Sequence, residues 1–99
     1  MIRGTTPKLE FVLPFKADSL IDGYVVLAQR DVVLVEKKIS ECQRNDHILC
    51  VTLSQEDTLK LDDRHRTEIQ IRAKTLEGEV IASDVHSVET GRILKDGVI

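Results

Sequence analysis

Cys42, Asp46, His47 and Cys50 lie close together, and thiolate, carboxylate and imidazole are the groups that hold zinc. Their spacing matches no standard ligand pattern. Cys50 also sits inside a strand-like alternation, so two free thiols are the plainer reading. A Cys42–Cys50 disulfide meets a geometric objection. With Asn45-Asp46 as a two-residue turn, Cys42 faces Leu49 and not Cys50. No metal and no cofactor is expected.

A cysteine nucleophile needs a base beside its thiolate. His65 and His86 are far along the chain from Cys42, and neither cysteine sits at a helix start that would lower its pKa. There is no Gly-rich phosphate loop, no HExxH and no GxSxG. Glu56-Asp57 is better explained by helix capping than by acid–base work. Asp62-Asp63 with Arg64, His65 and Arg66 reads as a charge-balanced, solvated loop. The residues predict a chain that is not an enzyme.

What remains is association chemistry. Val33 and Val35 belong to a strand that starts apolar on both faces, the pattern of a central strand, a doubly covered strand or an interface. Ile93, Leu94, Val98 and Ile99 make the segment 92–99 apolar. Such a segment packs on its own sheet, or docks by adding a strand to a neighbour. These six side chains are the candidate interaction residues.

The elements that position them follow from period and punctuation. Glu68-Ile69-Gln70-Ile71-Arg72-Ala73-Lys74 alternates strictly, which gives a strand with one dry and one wet face. Leu9, Phe11 and Leu13 alternate with Lys8 and Glu10 in a first strand that Pro14 ends. Residues 15–22 are a connection that tucks in Phe15, Leu20 and Ile21. A second strand runs over 23–29 with Tyr24, Val26 and Ala28 on one face, and Arg30-Asp31 turns it into a third over 32–38. Residues 39–47 are polar, with the turn centred on Asn45-Asp46. The fourth strand, 48–53, turns Leu49, Val51 and Leu53 inward.

At Ser54-Gln55-Glu56-Asp57 the period changes to a capping box. Ser54 and Asp57 answer each other, and Leu59 and Leu61 pin the helical turn to the core. After Glu77-Gly78 a sixth strand runs over 79–89. Val80 and Ala82 share one face but Val85 takes the other, so a bulge is expected near Ser83-Asp84. Six or seven short strands with one helical turn near 54–60 predict an all-β, two-sheet antiparallel sandwich of immunoglobulin type. The turn falls where such folds cross between sheets. The buried Trp and the disulfide of antibody domains are absent, so only the architecture is implied. A small barrel is the alternative.

Bulk properties narrow the partners. Ninety-nine residues make a single domain, 1–99, large enough for a core of its own. A net charge of -3 argues against nucleic acid, whose binders carry clustered positive charge. Apolar runs such as Val32 to Val35 are far too short to cross a membrane. The opening residues lack the apolar core of a signal peptide, so folding in a reducing cytoplasm is expected. Only Phe11, Phe15 and Tyr24 are aromatic, and all three read as core. This weighs against ligands stacked on exposed rings.

The sequence resembles a family of small proteins from phages and prophages of Gram-positive bacteria. The matching stretches are Met1-Ile2-Arg3-Gly4-Thr5-Thr6-Pro7, Leu13-Pro14-Phe15, Leu53-Ser54-Gln55-Glu56-Asp57-Thr58-Leu59, Ile69-Gln70-Ile71-Arg72, Ala82-Ser83-Asp84 and Arg92-Ile93-Leu94-Lys95-Asp96-Gly97. They span nearly the whole chain and carry no chemistry. More loosely, the chain is similar to the immunoglobulin-like N-terminal domain of phage baseplate upper proteins, which anchors a receptor-binding device. No receptor-binding region follows here, so anchoring a longer arm of the same chain is not expected. The resemblance implies a virion structural or adaptor module, associated with the tail or baseplate after assembly in the bacterial cytoplasm. Its partners would be other phage structural proteins or copies of itself, in a homo-oligomer. The alternative is a soluble prophage-encoded protein that binds a host protein or glycan.

Overall fold

The computed structural model describes residues 1–99. Its strands are β1 (Lys8–Val12), β2 (Leu20–Gln29), β3 (Val32–Lys38), β4 (Gln43–Asn45), β5 (Ile48–Thr52), β6 (Thr67–Thr75), β7 (Val80–Ala82) and β8 (His86–Val88). One α-helical turn, α1 (Gln55–Leu59), joins β5 to β6. The strands form two antiparallel sheets, β1-β5-β4 and β3-β2-β6-β7, with β8 following β7 along the same side of β6. This is an immunoglobulin-like sandwich. In that fold's lettering the sheets are B-E-D and C′-C-F-G, α1 crosses between E and F, and no strand of residues 1–99 pairs with the outer side of B.

The core lies between the sheets. Leu49, Val51 and Leu53 meet Val25, Leu27, Ile69, Ile71 and Ala73, all of them buried. Strand β6 is central and behaves as its alternation predicts: Thr67, Ile69, Ile71 and Ala73 are buried, while Arg72 and Lys74 are exposed. The capping box also forms, with the Asp57 amide donating to Ser54 Oγ at 3.1 Å and the Ser54 amide to Asp57 Oδ2 at 2.9 Å.

Strand β2 corrects the sequence reading. It starts at Leu20, not Gly23, and it is Val25, Leu27 and Gln29 that face inward. Tyr24 is 43% exposed on the outer face, with Val26 and Ala28, and Ile21 is exposed too. The cause is a bulge. Leu20 pairs with Thr75 and Asp22 with Lys74, so Ile21 is an extra residue that reverses the inward phase. A second bulge lies in β3, where Leu27 pairs with Val35 but Ala28 with Val33. Leu34 is the surplus residue and leans on the core. That is why the third strand reads as apolar on both faces although it is a sheet edge and not a central strand.

Two turns are instructive. Arg30 and Asp31 both take positive φ (52° and 64°) in a two-residue hairpin loop, where expected. The next hairpin turns at Asp46-His47, one residue later than expected, since Asn45 pairs with Ile48. Asp46 takes the left-handed conformation (φ 53°), which a short polar side chain tolerates. The expected sixth strand is split into β7 and β8. From Ala82 to His86 the chain takes four steps while β6 takes three, from Arg72 to Ile69, so one extra residue sits at 83–85.

The chain ends meet. Residues 1–3 run parallel to 89–91, with Gly91 donating to Met1 O at 2.6 Å and Arg3 to Gly91 O at 3.0 Å. The segment beyond Gly91 forms no strand of its own sheet.

Candidate interaction site

The two open sides of the sandwich differ. On the β3/β4 side a 3₁₀ turn, Ile39–Glu41, lays fully buried Ile39 across the gap. On the side between β1 and β7–β8 no element covers the gap. Strand β1 pairs only with β5. The Leu53 amide donates to Pro7 O and the Leu13 amide to His47 O, so the odd-numbered residues of this stretch face β5. By the alternation of an antiparallel ladder, the backbone groups of Lys8, Glu10 and Val12 point to the open side.

Below that edge is a groove of about 460 Å³. The whole of β1 and Leu13 make one wall, Ser83 and His86 the other, and Ile69 and Ile71 the floor. The break between β7 and β8 opens it. Ser83 takes over the pairing at Ile71, donating its amide to Ile71 O at 2.8 Å and accepting the Ile71 amide on Oγ at 3.0 Å. Leu9 and Phe11 are only half-buried at the rim. Val12 is 79% exposed, an apolar residue on the wet face of β1.

The six candidate interaction residues are not gathered at one place. Val33 is 53% exposed on the outer face of the five-stranded sheet, beside Val26, Ala28, Glu68, Gln70 and Val85. Val35 is 3% exposed and belongs to the core, because the β3 bulge turns it inward; no partner reaches it. Ile93 is half-buried near Gly4. Leu94 (93% exposed), Val98 and Ile99 stand in solvent. The segment is held by polar contacts: Gln55 brackets the Ile99 backbone at 2.8 and 3.0 Å, and Arg3 pairs with Asp96 at 2.9 Å.

The groups considered for chemistry are dispersed. No three His, Cys, Asp or Glu side chains converge in metal-binding geometry. Both cysteines are free thiols, and the later hairpin turn places Cys50 opposite Gln43. Burial pushes the Cys42 thiol up, Glu41 adds to the shift, and both oppose a thiolate. His47 approaches Leu13 O at 3.3 Å, at the end of β1. Burial would raise the Asp57 carboxyl, but hydrogen bonds from Lys37 and Ser54 outweigh it and hold the group below its usual value. Lys37 Nζ reaches Asp57 Oδ2 at 2.8 Å and so ties β3 to α1.

The charged loop at 62–66 is built, not loose. Arg64 donates to Asp62 Oδ1 and Oδ2 and lowers that carboxyl to about 2. A carboxylate held ionised in this way is a poor acid or base near neutral pH. Behind the loop, buried Gln29 donates to Asp62 O at 2.7 Å and His65 O at 3.1 Å, and accepts the Asp62 amide at 2.7 Å.

The groove residues escaped the sequence reading. One signal was there: Val12 breaks a wet face otherwise made of Lys8 and Glu10. No protein-family model, curated protein or solved structure matches this chain.

Proposed function

We propose that this chain is a non-enzymatic structural or adaptor module of a phage or prophage particle, tail or baseplate associated, that assembles by strand addition. The observation that carries the assembly reading is the uncovered β1 edge over an apolar groove, on a domain whose 92–99 segment holds Leu94, Val98 and Ile99 in water. With β5 on one side and no strand on the other, β1 offers an edge that a further strand can join. The resemblance to small phage and prophage proteins supports the particle setting. The partners are virion proteins or further copies of the chain.

The test is capture with the tagged full-length chain, once from lysate of phage-producing cells and once from uninfected host lysate. Stoichiometric recovery of virion structural proteins, or of untagged copies of the chain, is the expected result. Stoichiometric recovery of one host protein from both lysates, with no virion protein, would replace this reading with that of a host-directed binder.

A further inference from the structure

We propose that the groove between β1 and β7–β8 accepts residues 92–98 of a second copy as an added antiparallel strand. This rests on the assembly reading above and names its donor, its acceptor and their register.

The acceptor, β1, is the one edge strand that pairs over five residues without a bulge or break, since β7 and β8 are three residues each and are split at 83–85. The β3 edge is interrupted by a bulge, and β4 is three residues long, next to the 3₁₀ turn. Such features blunt edges against pairing. Strand β1 is regular, and its free backbone groups stand over the groove.

The donor is held in place weakly. Its own chain binds it through the exposed Gln55–Ile99 and Arg3–Asp96 contacts and one half-buried side chain, Ile93 beside Gly4. Exposed polar contacts of this kind exchange with water at little cost. Leu94 gains nothing from its present position, since it is almost wholly in solvent.

The two segments match in one register. Placing Lys95 opposite Glu10 on the wet face sets Ile93 against Val12, which covers that exposed valine, and Gly97 against Lys8. On the groove face Leu94 falls opposite Phe11 and Asp96 opposite Leu9. His86 pairs with Ile69 near the start of β6, so it lines the Leu9 end of the groove and faces the incoming Asp96 carboxylate. The ladder agrees as well, because Lys8, Glu10 and Val12 are the residues whose backbone groups face the incoming strand.

The same chain cannot supply this strand to itself. Gly91 is fixed to Ile2 at the α1 end of the sandwich, where Arg3 also binds Leu59 O and Leu61 O. Val12 lies at the opposite end of β1, beside the β4–β5 hairpin. Ile93 is two residues beyond Gly91 and reaches about 7 Å. Lys8 to Val12 alone spans about 13 Å. A second copy is therefore required. Exchanged reciprocally the contact closes a two-fold dimer, and passed head-to-tail it makes a ring or a filament.

The test is light scattering of the full-length chain over a concentration series, with Glu10→Lys, Lys95→Glu and the double charge swap. Glu10 and Lys95 are exposed, so folding is retained, as circular dichroism checks. Each single change should weaken association about tenfold or more, and the double swap should restore it to within about threefold. Gln55→Ala, which frees the segment, should strengthen association. A wild type that associates while the single changes have no effect, or whose double swap stays weak, overturns this inference and leaves the assembly reading intact. A chain that stays monomeric at all concentrations yet captures virion proteins also overturns it alone. A monomer that captures only a host protein overturns both.

Discussion

Gln29→Met removes a buried polar hub without opening a cavity. Gln29 is 4% exposed at the end of β2. Only one orientation of its amide satisfies its neighbours, with Nε2 toward the carbonyls of Asp62 and His65 and Oε1 toward the Asp62 amide. Methionine has nearly the same length and volume, so the packing loss is small. The Asp62 amide and His65 O lose their partner, while Asp62 O keeps only the 3.4 Å donation from the His65 amide. Thr67 and Thr90 keep each other at 2.6 Å. Each orphaned group costs about 1 kcal/mol, and more where water is excluded. Asp62 and His65 are half-buried, so water recovers part of this.

The expected loss is about 2–3 kcal/mol. A 99-residue chain has an unfolding entropy of about 0.2 kcal/mol/K, which converts the loss into roughly 10–15 °C of Tm. Urea titration with an unchanged slope and thermal scanning measure it. Hydrogen exchange at the His65 amide, which donates to Asp62 O, should accelerate in the same variant. A loss below about 1 kcal/mol, with exchange unchanged, would refute the claim that Gln29 organises the loop.

Gly23→Ala should cost about 3 kcal/mol or more, because φ is +130° and a Cβ would lie 2.2 Å from Arg72 O; chemical denaturation decides it. Asp57→Asn should cost about 1–2 kcal/mol at neutral pH by weakening the capping box and the Lys37 pair. Because the folded Asp57 pKa lies below its unfolded value near 3.8, its contribution is present above that pH and disappears as pH falls through the folded value. Asp62, at about 2 when folded, has the same sign. Wild type should therefore lose stability from about pH 4 toward pH 2, and Asp57→Asn should flatten the upper part of that slope; an unchanged acid titration contradicts it. Val33→Asp should cost less than about 0.5 kcal/mol and prevent any association through the outer sheet face, whereas Val35→Asp should unfold the domain. Parallel denaturation and scattering of the two variants separate surface from core.

What could be read from the sequence was local. The β6 alternation, the Ser54/Asp57 box and the Arg30-Asp31 hairpin each depend on residues within one element, and each formed as expected. What failed was phase across bulges. Ile21 and Leu34 each add one residue that leaves composition untouched and reverses which neighbours face inward, so alternation alone points Tyr24 to the core and Val35 to an interface. The bulge at 83–85 was legible because apolar residues lie on both sides of the phase change, at Val80, Ala82 and Val85. The groove was illegible for another reason. Its walls are residues 8–13 on one side and Ser83 and His86 on the other, brought together by tertiary structure that no local pattern records.

The sequence around β1 limits what can pair with that edge. Pro14 ends the strand and, having the open-side parity of Lys8, Glu10 and Val12, lacks an amide there, so it bounds the stretch an added strand can pair with. Within it, Lys8 and Glu10 put opposite charges on the wet face two residues apart. A second β1 in antiparallel register about Glu10 would bring two glutamates together, which is unfavourable. A strand carrying a cation opposite Glu10 and apolar residues opposite Val12 and Phe11 relieves both the charge and the exposed apolar surface. Residues 93–95, Ile-Leu-Lys, meet those requirements in order. An edge defended only by length and charge, over an apolar groove, discriminates among partners, and that is the property an assembly module needs if it is not to aggregate with every open strand it meets.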